Sequence, residues 1–512
     1  MTANRRIFLN IVATYGRSVF SLACGLFISR WVLAALGKVD FGLYGVVGGL
    51  ATFVGFINML LSQATARFYA FSVGRAKVCG AEGLEECRQW FNTAVLIHTV
   101  VPCILIAIGY PLGVYAVEHW LTIPPERLTA CVWVFRYVCI ACFVSMINAP
   151  FQAMYTAKQE IAELTIYSFA QTLANVCFMY FMVTHPGDWL EKYALWMCVV
   201  SVAPQLIICY RALKVYPECR FNKGYIWSPS RFGQLGAFAC WQAFGGLGSI
   251  LRGQGIQILI NKYFGPTING SMSIANQVSG SAQTLSSALQ GAFAPAITNS
   301  CGGGDIEQVR ALAYRTCKFG MLLALIFVLP LALELRTVMQ LWLGDPPAYA
   351  VELCWCVLIM AIIDKSSAGH MLAVSATGKI AAYQMFLGGS LLLTLPLAWL
   401  FVALNWGVCS VGWAMIVTMI ICAWGRVWFA RSIVGMSARY WLRRIMLPVA
   451  ALLLVCLGVG YLPHLKMVAG IWRIGVTTAM VEAVLLPLAF FAVLDTGERQ
   501  FVLAKIQKVV GR

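Results

Sequence analysis

The amino-acid sequence predicts an all-α polytopic membrane protein with about fourteen transmembrane helices. Three observations support that fold class: the composition, the number of long apolar runs, and an internal repeat. Of the 512 residues, 60% are hydrophobic and 11% are charged, and the mean hydropathy is +0.78. A soluble globular chain is about a quarter charged and about half apolar. The composition therefore excludes a cytosolic enzyme, a disordered chain and a secreted disulfide scaffold.

Apolar runs long enough to cross a bilayer recur along the whole chain. A transmembrane helix needs about 20 predominantly apolar residues. The first run follows Arg5 and Arg6, but it contains Arg17 and has no small-residue cleavage site. We therefore expect it to be a mature helix and not a signal peptide. The fourteen runs are 7–29, 41–62, 91–115, 128–150, 161–183, 193–213, 232–260, 268–294, 317–335, 350–372, 380–402, 407–430, 445–463 and 473–494.

The basic residues between the runs set the orientation. With the N-terminus in the cytoplasm, the cytoplasmic segments carry 25 Lys and Arg residues, including Lys318 and Arg426. The outer loops then carry 7, including Arg473. This asymmetry follows the positive-inside rule and predicts that both termini are cytoplasmic. The net charge of +17 then follows mostly from topology, so no nucleic-acid partner is needed to explain it.

An internal repeat divides the predicted helices into two lobes. Gly37 and Gly42 flank one turn between runs, and Gly265 and Gly270 flank another turn 228 residues later. Two six-helix halves that both start in the cytoplasm are parallel repeats, related by a pseudo-two-fold axis along the membrane normal. Such lobed repeats are typical of alternating-access transporters. We expect an N-lobe at 1–215, a C-lobe at 216–440, and two extra C-terminal helices with a cytoplasmic tail at 441–512.

Five basic residues lie within the runs or at their edges. A charge at mid-membrane costs at least about 2.5–3.5 kcal/mol and almost always faces the bundle interior or a wet cavity. The embedded acids are fewer, Asp364 and Glu482. This excess of cations predicts an anionic cargo, because guanidinium groups match phosphate oxygens. Arg30 lies near the outer interface, where snorkelling explains it equally well. The five candidate cargo-binding cations are Arg17, Arg30, Arg136, Arg252 and Lys365.

The embedded acids have several interpretations. Asp364 and Lys365 are adjacent in sequence and project in different directions, so we expect them not to neutralise each other directly. Glu482 lies midway along the last run and is expected to form a structural ion pair, with a proton or ion site as the alternative. Glu334 lies at an outer end and is expected to be solvated.

Polar side chains follow one face of several runs. In run 7–29 they recur every three or four residues, which places them on one helical face. Helix–helix packing explains many such stripes, whereas their coincidence with Arg17 and Arg252 favours a polar cavity. The candidate cavity residues of this kind are Asn10, Thr14, Ser21, Gln242, Asn276, Gln283 and Gln290.

The sequence predicts no cofactor and no metal site. Its 19 cysteines are scattered, mostly within apolar runs, where cysteine is usually a small buried residue. The 5 histidines lie far apart. No GxxxxGK[ST] pattern occurs, so we expect no direct use of ATP.

Residues 29–44 read SRWVLAALGKVDFGLY and span the turn between the first two runs. This segment resembles the signature around the first two helices of bacterial polysaccharide flippases of the multidrug/oligosaccharidyl-lipid/polysaccharide exporter superfamily. Order and spacing fit over essentially the whole chain. The pieces that resemble the capsule and O-antigen branch are 62–68 (SQATARF), 217–221 (PECRF), 264–266 (FGP) and 376–380 (ATGKI).

The resemblance implies that the protein moves an undecaprenyl-diphosphate-linked oligosaccharide between leaflets of the bacterial inner membrane, from cytoplasmic to periplasmic. It further implies a multi-pass monomer among membrane lipids, with a polysaccharide polymerase complex as a candidate partner. Basic cavity residues would engage the diphosphate, a role that falls by position to Arg17, Arg136 and Arg252. The alternative is a cation-coupled drug or small-molecule antiporter of the same superfamily, which would be expected to need Asp364 or Glu482. A membrane glycan polymerase is a remote alternative, since the outer loops are short.

Overall fold

The computed structural model describes residues 52–500, apart from 120, 122, 186 and 345. All regular structure in this part of the chain is helical, and it contains no strand. This confirms the predicted all-α class. Before residue 52, the described positions are 16, 17, 20, 21, 24, 28, 31, 32, 35–37, 40, 43, 44, 47 and 48.

The described helices follow most of the predicted apolar runs. The first five are α1 (Thr52–Cys79), α2 (Ala81–His119), α3 (Leu128–Ala157), α4 (Ile161–Thr184) and α5 (Leu190–Val215). The next six are α6 (Pro229–Gly302), α7 (Ile306–Leu333), α8 (Leu335–Leu343), α9 (Ala350–Ser366), α10 (Ala368–Thr377) and α11 (Ala381–Leu392). The last five are α12 (Thr394–Ala403), α13 (Ser410–Val434), α14 (Ala438–Trp441), α15 (Leu447–Lys466) and α16 (Ile471–Leu488).

Short helical elements of other types connect or extend these helices. Three 3₁₀ turns are Pro125–Arg127, Pro217–Cys219 and Lys223–Tyr225, and two π-helical segments are Leu442–Met446 and Ala489–Val493.

Nine helices or helix pairs among the described residues are long and apolar enough to cross a membrane. The chain is therefore a multi-pass membrane protein. The count of fourteen remains a prediction, because run 7–29 and the start of run 41–62 lie largely outside the described residues. Run 350–372 differs from the expectation of one helix: it is split at Ser367 into α9 and α10.

The helix α6 contains the turn predicted between runs 232–260 and 268–294. Its hydrogen-bonded run is continuous, but Gly265 has φ 83° and ψ 177°, so two helices meet there. Gly37, which the repeat equates with Gly265, has φ 74°. A side chain strongly disfavours both conformations, which explains glycine at each position. The two turns thus share a backbone requirement as well as a sequence pattern.

The chain divides into two compact units. The first unit contains Met1–Ala243 with Gly291–Ile306, and the second contains Phe244–Gln290 with Glu307–Arg512. Both ends of α6 therefore group with the N-terminal helices, while its middle groups with the C-terminal helices. The predicted lobes 1–215 and 216–440 were defined by the sequence repeat, whereas the two units are defined by packing. The lobes therefore remain a prediction.

Glycines fasten the end of α6 to α1 within the first unit. A Cβ on Gly74 would lie 1.9 Å from the carbonyl oxygen of Asn299, and one on Gly302 would lie 1.9 Å from that of Phe71. The two helix backbones are therefore in direct contact, as is common where small residues meet between membrane helices. The Asn299 side chain also donates to the carbonyl of Ala157, at 3.0 Å.

The C-terminal helices α15 and α16 pack onto α7 within the second unit. Met321 and Leu325 of α7, Val449 of α15, and Val481 and Leu485 of α16 share one buried apolar cluster. These two helices, predicted as an addition at 441–512, are thus part of the second unit.

Candidate functional site

Two of the predicted cargo-binding arginines lie in the first unit, and both have neutral partners. Arg17 donates from Nη1 to the Ser168 hydroxyl of α4 at 3.4 Å. Arg136 of α3 donates from Nε to the Tyr110 hydroxyl at 2.9 Å, and its guanidinium lies 4.6 Å from the centre of the Trp133 ring. Within the part of the chain that the structure describes, neither arginine forms an ion pair.

Arg252 lies in the stretch of α6 that belongs to the second unit. It is half-buried, and Nη1 contacts the Met360 thioether sulfur of α9 at 3.8 Å. A thioether is a weak acceptor, so this contact leaves the positive charge uncompensated. Met360 and Asp364 are one turn apart on the same face of α9, so Arg252 lies against the helix face that carries Asp364.

Asp364 of α9 is shared between two cations. Its Oδ1 lies 2.7 Å from Nη1 of Arg426, and its Oδ2 lies 3.2 Å from Nζ of Lys365. The expectation that Asp364 and Lys365 do not neutralise each other is therefore wrong. The reason is the long, flexible lysine stem, which lets the ammonium turn back to its neighbour although the two side chains start in different directions.

Arg426 is a functional candidate that the sequence reasoning missed. The charge pattern predicts a cytoplasmic position for it, but it lies within α13 and is only 6% exposed. The prediction is wrong because Arg426 lies near the end of run 407–430 and is followed by further arginines, a pattern typical of a cytoplasmic segment.

The interruption between α9 and α10 is stabilised by side chains from other helices. Nη1 of Arg426 donates to the Asp364 carbonyl and to the Ser367 hydroxyl, both at 3.2 Å. The indole of Trp441 donates to the Ser366 carbonyl at 2.8 Å. A broken helix in a membrane is tolerated only when its freed backbone groups find such partners.

We name the group formed by Arg252, Asp364, Lys365 and Arg426 the cation cluster. Lys365 and Arg426 contact the Asp364 carboxylate, and Arg252 lies against the same face of α9 at Met360, so the cluster has three cations for one carboxylate. Lys365 and Arg426 are buried, at 4% and 6% exposure. Buried charges are usually paired one to one, so this imbalance marks the cluster as the candidate binding site of the second unit.

The other predicted site residues are not brought together by the described contacts. Ser21 and Asn276 are exposed, whereas Gln242 and Gln290 are half-buried. Asn10, Thr14 and Arg30 lie outside the described residues, and so does the side chain of Gln283.

Glu482 lies in the middle of α16 and is half-buried. Its Oε1 is buried without a hydrogen-bond partner. Among the residues that the structure describes, no cation pairs with it, so the expected structural ion pair is not found there.

Glu334 was expected to be solvated, and that expectation is wrong: its side chain is fully buried. Arg473 of α16 donates from Nε to Oε1 and from Nη2 to Oε2, both at 3.0 Å. Burial on its own would raise the pKa of the Glu334 carboxyl, but hydrogen bonds from Arg473, Thr477 and Thr337 outweigh it and hold that pKa below its usual 4.5. His464 adds a contact at 3.4 Å. We name these five residues the Glu334 cluster.

Lys318, counted with the cytoplasmic loops, is also buried in the structure. It is 3% exposed in α7, and its Nζ lies 2.9 Å from both Asp495 Oδ2 and Glu498 Oε2. This lysine is fully compensated and ties the segment after α16 to α7.

No group of three or more histidine, cysteine or acidic residues in the described part of the chain could hold a metal ion.

The chain matches no family model and no curated protein. Solved structures do match it. A crystal structure of MATE in complex with MaD3S has a TM-score of 0.71 at 12% identity, covering 85% of this chain and 97% of that one. An outward-facing multidrug resistance MATE family transporter of the MOP superfamily has a TM-score of 0.70 at 12% identity, covering 85% and 98%.

A third similar structure is a MOP superfamily transporter from Pyrococcus furiosus, for which a reverse polarity of the binding pocket suggests a different function. Its TM-score is 0.68 at 12% identity, with 85% of this chain and 96% of that chain covered. Likeness at such low identity concerns the fold alone. The chain has the fold of the MATE transporters of the MOP superfamily.

Proposed function

We propose that the protein is a transporter that flips an undecaprenyl-diphosphate-linked oligosaccharide from the cytoplasmic to the periplasmic leaflet by alternating access. One observation carries this proposal. The described interior arginines Arg17, Arg136 and Arg252 have neutral partners, whereas the interior acid Asp364 is already shared by two cations.

The charge balance favours an anionic over a cationic cargo. An uncompensated guanidinium in a membrane interior is costly unless it faces water or meets an anion. A diphosphate offers several oxygens for bidentate hydrogen bonds. A cationic drug would require a free carboxylate; Asp364 is already paired, which leaves Glu482 as the interior acid that could serve a cationic cargo.

The membrane potential could drive outward transport of an anionic cargo. Two negative charges that cross the whole field outward gain about 4.6 kcal/mol per 100 mV of inside-negative potential. The sequence contains no P-loop pattern, which supports a process driven by the membrane potential or an ion gradient instead of ATP. In this proposal the protein lies in the bacterial inner membrane with both termini in the cytoplasm, and a polysaccharide polymerase complex is its candidate partner.

The test uses purified protein in vesicles that contain a fluorescent polyprenyl-diphosphate-linked oligosaccharide. We expect wild type to move the label between leaflets and Arg17→Ala to reduce the rate by at least about tenfold, because an ion contact with phosphate is lost. Arg75→Ala is the matched control, since Arg75 is exposed and pairs with Glu86 on the protein surface. Unchanged transport by Arg17→Ala would contradict the role of Arg17.

A cation-coupled small-molecule antiporter is the second candidate function. Two observations favour it: similar folds include a multidrug resistance MATE family transporter, and Glu482 has a buried carboxylate oxygen without a partner. The Pyrococcus furiosus transporter indicates that pocket polarity is not fixed by this fold. Gradient-driven efflux of a cationic dye from the same vesicles, lost in Glu482→Gln, would support the antiporter.

A further inference from the structure

We propose that the second unit carries its own binding site for a phosphate-class dianion at the interruption between α9 and α10. Arg252, Lys365 and Arg426 would hold the anion, and Asp364 would act as a built-in counter-ion that the anion displaces. The proposal deepens the proposed function and rests on it only for the natural source of the anion.

Three separate elements bring the cations to one place. Arg426 of α13 and Lys365 of α9 both contact the Asp364 carboxylate, at 2.7 and 3.2 Å. Arg252 of α6 reaches the same face of α9 through Met360. Such convergence of like charges is unfavourable in the absence of compensating anions, and one carboxylate compensates only one of the three charges.

The cluster has an accessible side and a buried side. The Asp364 side chain is 25% exposed, while the side chains of Lys365 and Arg426 are 4% and 8% exposed. Nε of Arg426 is buried and has no acceptor. An anion would therefore approach where Asp364 lies, and the site already contains a donor that lacks a partner.

The charge of the cluster indicates the class of ligand. An excess of two positive charges is neutralised by a diphosphate group with two negative charges. Two guanidinium groups and one ammonium also suit tetrahedral phosphate oxygens, since arginine binds them bidentately and lysine binds as a point charge. Both inorganic pyrophosphate and a lipid-linked diphosphate present this chemistry.

Occupancy of the site would change the backbone interruption. The same Nη1 of Arg426 holds the Asp364 carboxylate, the Asp364 carbonyl and the Ser367 hydroxyl. An anion that draws Arg426 away would release all three contacts at once. Anion binding and the geometry of the α9–α10 break are therefore linked.

The test measures binding of inorganic pyrophosphate to the purified full-length protein by calorimetry. Asp364→Asn removes the competing carboxylate, so we expect it to bind pyrophosphate about tenfold more tightly than wild type. Arg252→Met should bind at least about tenfold more weakly with an unchanged melting temperature, because its described contact is only a thioether. Arg75→Ala, at an exposed surface pair, serves as the control and should bind like wild type.

A second arm presents a polyprenyl diphosphate in lipid nanodiscs to the same variants. Binding of pyrophosphate supports a site open to the free anion, and binding of the lipid diphosphate alone supports a site for the lipid-linked form. Binding of neither, weaker binding by Asp364→Asn, or unchanged binding by Arg252→Met would overturn the site. Flipping that depends on Arg17 could persist in that case, so the two proposals fail separately.

Discussion

Two carboxylates of the second unit, Glu334 and Asp364, have opposite surroundings. Glu334 meets one arginine in a bidentate pair and accepts from two threonine hydroxyls. Asp364 contacts two cations, and a third, Arg252, contacts Met360 one turn away on the same helix. The Glu334 cluster is thus a compensated structural ion pair, whereas the cation cluster has an excess of positive charge. The comparison suggests that the balance of charge distinguishes a structural ion pair from a binding site.

The largest expected effect is on the Glu334 cluster. Arg473→Ala should lower the free energy of unfolding by about 3–5 kcal/mol, because it leaves a buried carboxylate uncompensated. The melting temperature of the purified protein measures this loss. Arg336→Ala is the matched control, since Arg336 lies on α8 near Glu334 but is exposed. Equal melting temperatures for the two variants would show that the pair is not structural.

The cation cluster should respond differently to loss of its carboxylate. Asp364→Asn should also lower the melting temperature, because Lys365 and Arg426 lose their counter-ion. Pyrophosphate should restore stability, by about 2.7 kcal/mol at a hundred times its dissociation constant. Arg473→Ala should gain no more from pyrophosphate than wild type does. Equal stabilisation of Asp364→Asn and Arg473→Ala by pyrophosphate would contradict the distinction between the two clusters.

The pH dependence of stability provides a third contrast. The pKa of Glu334 is lowered in the folded protein, so its contribution is present above the unfolded value, usually 4.5, and is lost as pH falls through the lower folded value. We expect the melting temperature of wild type to fall in that acidic window. Glu334→Gln should be less stable at neutral pH and should lose less on acidification. Parallel curves for the two proteins would contradict this assignment.

The smallest effect should come from Thr337, a neutral member of the Glu334 cluster whose hydroxyl also accepts from Nη2 of Arg473 at 2.8 Å. The Thr337 hydroxyl donates to Glu334 Oε2 at 3.0 Å. Thr337→Val should lower the free energy of unfolding by about 1.5–3 kcal/mol, the usual range for hydrogen bonds to charged groups. Thermal unfolding of Thr337→Val and Arg473→Ala under the same conditions compares the two losses of stability. A larger loss in Thr337→Val than in Arg473→Ala would contradict the prediction.

The sequence predicted the all-α class and the general course of the helices because hydropathy along a chain reports directly on membrane spans. It also predicted the turns at Gly265 and Gly37, because a backbone conformation with positive φ favours glycine. Contacts between charged residues could not be predicted in the same way. Glu334 and Arg473 are 139 positions apart, and only tertiary packing brings them together.

The cation cluster was predicted in part. Arg252, Asp364 and Lys365 stood out as charges within apolar runs, but Arg426 did not, because it lies near the end of a run where basic residues are common. The helix break is centred on a serine, Ser367, and not on a proline or glycine, so the sequence pattern did not predict it. Its stabilising partners Arg426 and Trp441 come from elsewhere in the chain.

The most direct measurement of the central claim compares two cargos in the same proteoliposomes under an inside-negative potential. One is a fluorescent polyprenyl-diphosphate-linked oligosaccharide, and the other is a cationic dye. The cation excess predicts outward movement of the anionic lipid, loss of that movement in Arg17→Ala, and no transport of the dye. Transport of the dye without the anionic lipid would contradict the account and establish the antiporter instead.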